Sequence, residues 1–336
     1  MYDAFHGGMP RAIIETFVRQ KLTQLKSDPE RCARNLVDMA LDFSEGRFQK
    51  YFFHLAQAML KNRQSSYYSI IEDLAANVDT ERLLTFGMNV GYNSLTYGAK
   101  RIRELEAAQG FNIPWTVILY LDSDKFNMQS QTVNSLICQG KELGIYTWFI
   151  FTKGRPDAML EAVAQNPDAA FVVLADAHEL DDTFIESAGK CHNLMLSVGC
   201  DSDTVAVCDK LHSQKLLYSV YTDIRRDSRG TISELIEYKA SECLHTPVLL
   251  FLGSAPDSES EYYRKICEVR EGHHIKTVPF DIYEDIRYID GVISEDSCLT
   301  IFDADGNLLR PDRTPDPQYN YNTMNLQDIL SACFKK

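Results

Sequence analysis

The sequence predicts an α/β fold in which a parallel sheet, curled into a partial or complete barrel, follows a helical N-terminal region. Six short apolar segments occur after residue 115, and amphipathic segments separate them. Apolar strands that alternate with helices form parallel sheets whose faces are covered. Six such units fit a barrel better than an open doubly wound sheet, although the periodicity alone allows both. The predicted strands are residues 116–121, 147–151, 171–174, 194–198, 217–221 and 248–252.

The chain before residue 110 has the apolar spacing of helices. Pro10 and Pro29 are suited to the first turns of two helices, because proline lacks the amide that those positions leave unbonded. A third helix is expected at residues 48–59, and a long one follows Asp79. This last helix contains three glycines, which we expect to permit close packing: Gly87, Gly91 and Gly98.

The chain changes character again near its C-terminus. Residues 298–302 and 308–309 read as a β-hairpin with Asp305-Gly306 at its turn. An irregular strip with three prolines and a short helix at residues 326–334 follow. We therefore divide the chain into a helical region (1–112), a barrel (113–280) and a C-terminal hairpin and tail (281–336).

Composition excludes several classes of protein. The 336 residues are 45% hydrophobic and 24% charged, which suits a folded globular chain. A net charge of −14 disfavours nucleic acid as a partner, because phosphate binding needs clustered lysines and arginines. The longest apolar runs are too short to cross a bilayer. No secretory leader is evident, and nine scattered cysteines are typical of reduced cytoplasmic thiols, so we expect a cytoplasmic protein.

Residues 113–156 read as strand, helix and strand, ending in the turn Lys153-Gly154-Arg155-Pro156. Only Asp122-Ser123-Asp124-Lys125 separates the first strand from Phe126 in the helical segment. This stretch resembles the opening of a radical S-adenosylmethionine (radical SAM) barrel, and the likeness extends over residues 75–330. It is similar to a bacterial branch with a helical N-terminal extension and a SPASM-like C-terminal hairpin. The resemblance implies a (β/α) barrel of TIM type.

Three parts of that family's mechanism are missing. The resemblance implies a C-x3-C-x2-C loop that holds a [4Fe-4S] cluster, yet residues 122–125 contain no cysteine, and no close cysteine pair occurs anywhere in the chain. The family's Gly-Gly-Glu-Pro-like turn offers an acid to the cofactor's ammonium group, whereas Lys153 and Arg155 stand here. The hairpin lacks the auxiliary-cluster cysteines of relatives, since Val292 and Pro311 flank it. We therefore expect a degenerate member with no iron–sulfur motif and no resident metal or cofactor.

In a parallel barrel the functional site lies at the C-terminal ends of the strands, because the loops that follow the strands all lie at that end. The polar residues at those positions are Asp122, Asp124, Lys153, Arg155, Asp176, His178, Glu179, Cys200, Asp201, Asp203, Asp223, Arg225, Arg226 and Ser254. Two hypotheses follow. Asp122, Asp124, Asp176 and Asp201, with His178 nearby, supply oxygen ligands for a hard cation such as magnesium. Alternatively, Lys153, Arg155 and Arg225 form an anion pocket, which we prefer slightly because two of its cations lie on one tight turn.

The sequence leaves the catalytic residues unknown. The leading interpretation is a non-catalytic pseudoenzyme that binds a small molecule or a protein partner, with no nucleic acid and no membrane. The first alternative is an enzyme with repurposed chemistry at the barrel mouth. The second is an active radical SAM enzyme that binds a [4Fe-4S] cluster and S-adenosylmethionine through distant cysteines, for instance Cys138 with Cys200.

Overall fold

A computed structural model of the chain describes residues 11–25, 27–42, 47–224, 232–242, 245–253, 261–272, 274–294 and 296–336. Helices form its N-terminal part, as the sequence predicts. They are α1 (Arg11–Leu25), α2 (Pro29–Asp42), α3 (Arg47–Lys61), α4 (Tyr67–Asn77), α5 (Thr80–Met88), a π-helix (Asn89–Gly98) and α6 (Ala99–Gln109). Pro29 is the first residue of α2, and the Asp28 carboxylate accepts the Arg31 amide at 3.2 Å. Pro10 lies outside the described residues.

The glycine-rich helix is only partly as predicted. A Cβ on Gly98 would lie 2.3 Å from the carbonyl oxygen of Gly144, so a close approach of two backbones requires this glycine. An added Cβ on Gly87 or Gly91 would meet no atom within 4 Å. The prediction that these two permit close packing is therefore wrong, because both face open space.

Ten strands form one sheet. They are β1 (Thr116–Asp122), β2 (Thr147–Lys153), β3 (Ala170–Asp176), β4 (Leu194–Gly199), β5 (Tyr218–Asp223), β6 (Val248–Leu252), β7 (Val278–Asp281), β8 (Thr300–Phe302), β9 (Asn307–Leu309) and β10 (Pro315–Asn320). The helices among and after them are α7 (Ser123–Leu143), α8 (Asp157–Gln165), a 3-10 turn (Ala177–Glu179), α9 (Asp182–Ala188), α10 (Thr204–Ser213), α11 (Ile232–Glu242), α12 (Glu261–Gly272), α13 (Glu284–Ser294) and α14 (Leu326–Cys333).

The strand order is β10-β9-β8-β1-β2-β3-β4-β5-β6-β7, and β1 to β8 run parallel. Consecutive parallel strands that lie side by side place all right-handed crossover helices on one face of the sheet. Such a sheet curls into a barrel, whereas a doubly wound sheet would reverse its order. The α/β prediction is confirmed.

The curl brings opposite ends of the sheet together. The rings of Phe149 in β2 and Phe280 in β7 lie 6.4 Å apart, although four strands separate β2 from β7. The hydroxyls of Tyr120 in β1 and Tyr283 after β7 lie 2.7 Å apart. Within the described residues β7 and β8 do not pair, so the barrel is partial.

The C-terminal part belongs to the same sheet. The predicted hairpin is present as β8 and β9, and Gly306 at its turn has a φ of +88°. β8 pairs with β1, so the hairpin continues the barrel wall. The strip of prolines, which we expected to be irregular, contains β10; proline is tolerated there because an edge strand leaves amides unpaired. Among the described residues, no helix has the length and apolar character needed to span a membrane.

Candidate functional site

β1 passes directly into α7, with no loop between them. The strand ends at Asp122 and the helix begins at Ser123. The Ser123 hydroxyl donates to the carbonyl oxygen of Arg155 at 2.7 Å, and Lys153 Nζ lies 3.3 Å from Asp122 Oδ2. Lys125 forms an ion pair with Asp305 of the hairpin. The start of α7 is therefore bonded on one side to the turn after β2 and on the other to the hairpin.

Hydrogen bonds and ion pairs within the protein also hold the turn after β2. Gly154 has a φ of +80°, and its amide donates to Glu179 Oε1 at 2.6 Å. Arg155 binds the carboxylates of Asp157 and Asp181 and donates to the Thr183 hydroxyl at 2.7 Å. The hydrogen bond to Asp157, with the Asp181 charge, raises the pKa of Arg155.

These contacts bear on the predicted anion pocket. Lys153 is 84% exposed and pairs with Asp122, while Arg155 pairs with Asp157 and Asp181. The two described cations thus have carboxylate partners already. Arg225, the third, lies outside the described residues, as do Arg226 and Ser254.

The predicted cation site is not assembled in the described part of the chain, where no three acidic, histidine or cysteine side chains converge as metal ligands do. His178 Nδ1 lies 3.5 Å from Asp201 Oδ2 on the rim, and Asp122 pairs with Lys153. Asp223 ends β5 and is half-buried. The Asp124 side chain lies outside the described residues.

Asp176 instead accepts a hydrogen bond from Tyr221, at 2.8 Å between the hydroxyl and Oδ1. Gly199 lies between them, where a Cβ would come within 2.8 Å of Asp176 Oδ1 and 3.0 Å of the Tyr221 hydroxyl. Burial raises the pKa of Tyr221, and the charges of Asp176 and Glu179 raise it further. The Tyr221 phenol therefore stays protonated as a hydrogen-bond donor to Asp176.

Aromatic side chains of β1, β2 and β5 contact one another at the barrel mouth. The Tyr120 and Phe151 rings stack with centroids 4.7 Å apart, and Phe151 meets Tyr221 edge-on at 6.3 Å. The Tyr120 hydroxyl bonds to that of Tyr283, and the Arg313 guanidinium covers the Tyr283 ring at 3.7 Å. We name Arg313, Tyr283, Tyr120, Phe151 and Tyr221 the aromatic belt. Sequence reasoning missed it, because rings on strands read as core residues.

Below Tyr221 lie two serines on the same face of the sheet. Ser197 in β4 and Ser219 in β5 are register partners, two residues before Gly199 and Tyr221. Neither residue is exposed, and neither hydroxyl has a hydrogen-bond partner among the described residues. The Oε2 atom of Glu179 is also buried without a partner. An unsatisfied buried polar group costs about 1–3 kcal/mol, so three in one region need an explanation.

Asp281, at the end of β7, lies on the helix side of the sheet. Its carboxylate accepts the amides of Tyr283 and Glu284 and the hydroxyl of Tyr262. Burial raises its pKa to about 6, against the opposing effect of these hydrogen bonds. This group joins α12, β7 and α13, and we assign it a structural role.

The described cysteines do not fit an iron–sulfur cluster. Eight of them are free thiols, and Cys243 lies outside the described residues. Only Cys200 follows a strand end at the barrel mouth, while Cys138 is exposed on α7. No three thiols of the described residues come together. A cluster with an open iron needs three thiolates at one place.

No family model matches the chain, and no curated protein matches it. Solved structures give a weak likeness to SuiB of Streptococcus suis. Its complex with S-adenosylmethionine has a TM-score of 0.49 and 11% identity, and the match covers 71% of this chain and 69% of that one. Its complex with the precursor peptide SuiA has a TM-score of 0.48 and 10% identity, and the match covers 71% of this chain and 70% of that one. A further SuiB structure has a TM-score of 0.48 and 11% identity, and the match covers 88% of this chain and 81% of that one.

Proposed function

We propose that this chain is a degenerate radical SAM-type protein that binds a ligand or partner without radical chemistry. The observation that carries the proposal is the direct passage of β1 into α7, where the resemblance implies a cluster loop. Asp122 and Ser123, the two residues at the junction, bond to the turn after β2. The aromatic belt occupies the adjoining mouth.

The cofactor's other contacts are also replaced. An ammonium group needs a free acid and free backbone acceptors, and cations repel it. Lys153 and Arg155 bring two positive charges to the turn, and the Gly154 amide is bonded to Glu179. Retention of the barrel with these changes favours binding over the ancestral reaction.

Anaerobic reconstitution with iron and sulfide tests the proposal. We expect no visible absorption from a protein-bound cluster after desalting. The variants Cys138→Ala and Cys200→Ala are matched controls for the unconventional cluster that these two thiols could begin. Absorption that persists in the parent chain and disappears in Cys200→Ala would establish that cluster and refute the proposal.

An enzyme with repurposed chemistry is the second candidate, and the Asp176–Tyr221 pair favours it. The half-buried Tyr221 hydroxyl holds the Asp176 carboxylate in a fixed direction, as a general base requires. Tyr221→Phe removes the proton and keeps the ring. A reaction abolished by Tyr221→Phe without loss of ligand binding would select this candidate.

The bound species we propose is a small molecule or a protein, because a net charge of −14 repels nucleic acid. We place the chain in the cytoplasm, since its eight described cysteines are all free thiols. Cell fractionation with a cytoplasmic marker checks this assignment.

A further inference from the structure

We infer that the ends of β3, β4 and β5 form a binding site for a small organic ammonium ion, with Asp176 and Glu179 as its anionic partners. The inference rests on the proposed function, because it fills the mouth of a barrel that has lost its cofactor. It names the ligand class that the proposed function leaves open.

The carboxylates of Asp176 and Glu179 favour a positively charged ligand. Asp176 is exposed, and its Oδ1 atom accepts the Tyr221 hydroxyl. Glu179 uses Oε1 on the Gly154 amide, and its Oε2 atom is buried without a partner among the described residues. Lys153 and Arg155, the described cations of the turn after β2, are paired with other carboxylates. A buried carboxylate oxygen without a partner is the acceptor that an ammonium donor satisfies.

Two buried serines also favour a ligand with several N–H donors. Register places Ser197 and Ser219 on the lumen side, one layer below Tyr221. Both are fully buried, and their hydroxyls have no partner in the described structure. In the layer above, the Tyr221 hydroxyl is bonded to Asp176. These hydroxyls are acceptors for the N–H groups of an ammonium ion that the two carboxylates leave unbonded.

The aromatic belt sets the shape of the ligand. The rings of Phe151 and Tyr221 meet edge to face at the strand ends, with centroids 6.3 Å apart. Such rings attract cations and pack against flat apolar groups. The site thus fits an ammonium group joined by a short linker to an aromatic or other apolar body.

Phenethylamine is the probe, tested by calorimetric titration of the whole chain without added iron. Its neutral analogue 2-phenylethanol and the anion 3-phenylpropionate keep the ring and change the charge. We expect saturable binding of phenethylamine, at least about tenfold tighter than either analogue, since a hydrogen bond to a charged group contributes that much.

The variants Asp176→Asn and Glu179→Gln keep size and the ability to accept Tyr221 and Gly154. Each should weaken phenethylamine binding about tenfold. The matched control is Asp182→Asn, whose parent carboxylate is 74% exposed and pairs with Lys210 on the outside of the barrel. It should leave the affinity unchanged. Thermal melting of each variant confirms that it is folded.

Several results would overturn the inference. One is no binding of phenethylamine, and another is equal binding of 2-phenylethanol, which would reduce the site to apolar contact. An equal loss of phenethylamine affinity in Asp182→Asn would mean that the acidic surface as a whole attracts the ligand. If the chain takes up no iron and does not bind phenethylamine, the ammonium site is refuted and the proposed function stands. If the chain binds an iron–sulfur cluster, the proposed function is refuted.

Discussion

Asp281→Asn should raise the stability of the protein at neutral pH. Burial raises the pKa of Asp281 from 3.8 to about 6, so the folded state holds the proton more strongly than the unfolded state does. Stability from this group is therefore present below pH ~4 and is lost as pH rises through ~6. A shift of roughly two pKa units corresponds to about 3 kcal/mol, and this is the cost at pH 7 of keeping the buried carboxylate charged.

Asparagine removes that cost and keeps most contacts. Its Oδ1 can accept the amides of Tyr283 and Glu284, which the carboxylate now accepts through one oxygen, Oδ1. Its amide can donate to the Tyr262 hydroxyl oxygen. We expect the free energy of unfolding of Asp281→Asn to exceed the parent's by up to about 3 kcal/mol at pH 7. The gain should fall toward zero at pH 4.

Urea denaturation at four pH values between 4 and 7.5 measures this difference, with Asp182→Asn as a control that should show none. A difference between parent and Asp281→Asn that does not vary with pH would refute the reasoning. It would mean that the helix-capping hydrogen bonds offset the effect of burial, so that the pKa of Asp281 is the same in the folded and unfolded states.

Two further predictions concern the lumen. Gly199→Ala should lower the free energy of unfolding by about 1–3 kcal/mol, because its Cβ would lie 2.8 Å from a carboxylate oxygen. Gly91→Ala, where a Cβ meets nothing, should instead raise it by about 0.5–1 kcal/mol, and equal effects in urea denaturation would contradict the geometry. Ser197→Ala should raise stability by up to about 1 kcal/mol by removing a buried hydroxyl without a partner. Ser294→Ala should lower it by about the same amount, since that hydroxyl bonds the Ile113 carbonyl; a loss of stability in both serine variants would show that the lumen hydroxyl is satisfied.

The fold could be predicted wherever apolar runs were long. β1 to β6 are confirmed near their predicted positions because each is a buried strand with few polar residues. β7 was missed, since Val278–Asp281 has only four residues and includes Pro279. β10 was missed for a related reason, because proline argues against a central strand and only its edge position admits it.

The candidate site was harder to predict. The strand-end rule placed Asp176 and Glu179 at the mouth, but it could not show that Arg155 would pair with Asp181 of the following unit. Tertiary structure sets that partner. Ser197 and Ser219 gave no signal in the sequence either, because their significance depends on register between two strands.

We propose that this barrel binds no iron–sulfur cluster. Chemical analysis of iron and acid-labile sulfide per chain, after anaerobic reconstitution and removal of excess reagents, tests it most directly. We predict only trace amounts of both, the same in the parent and in Cys200→Ala. Iron and sulfide in the proportion of one whole cluster per chain, lost in Cys200→Ala, would contradict the claim.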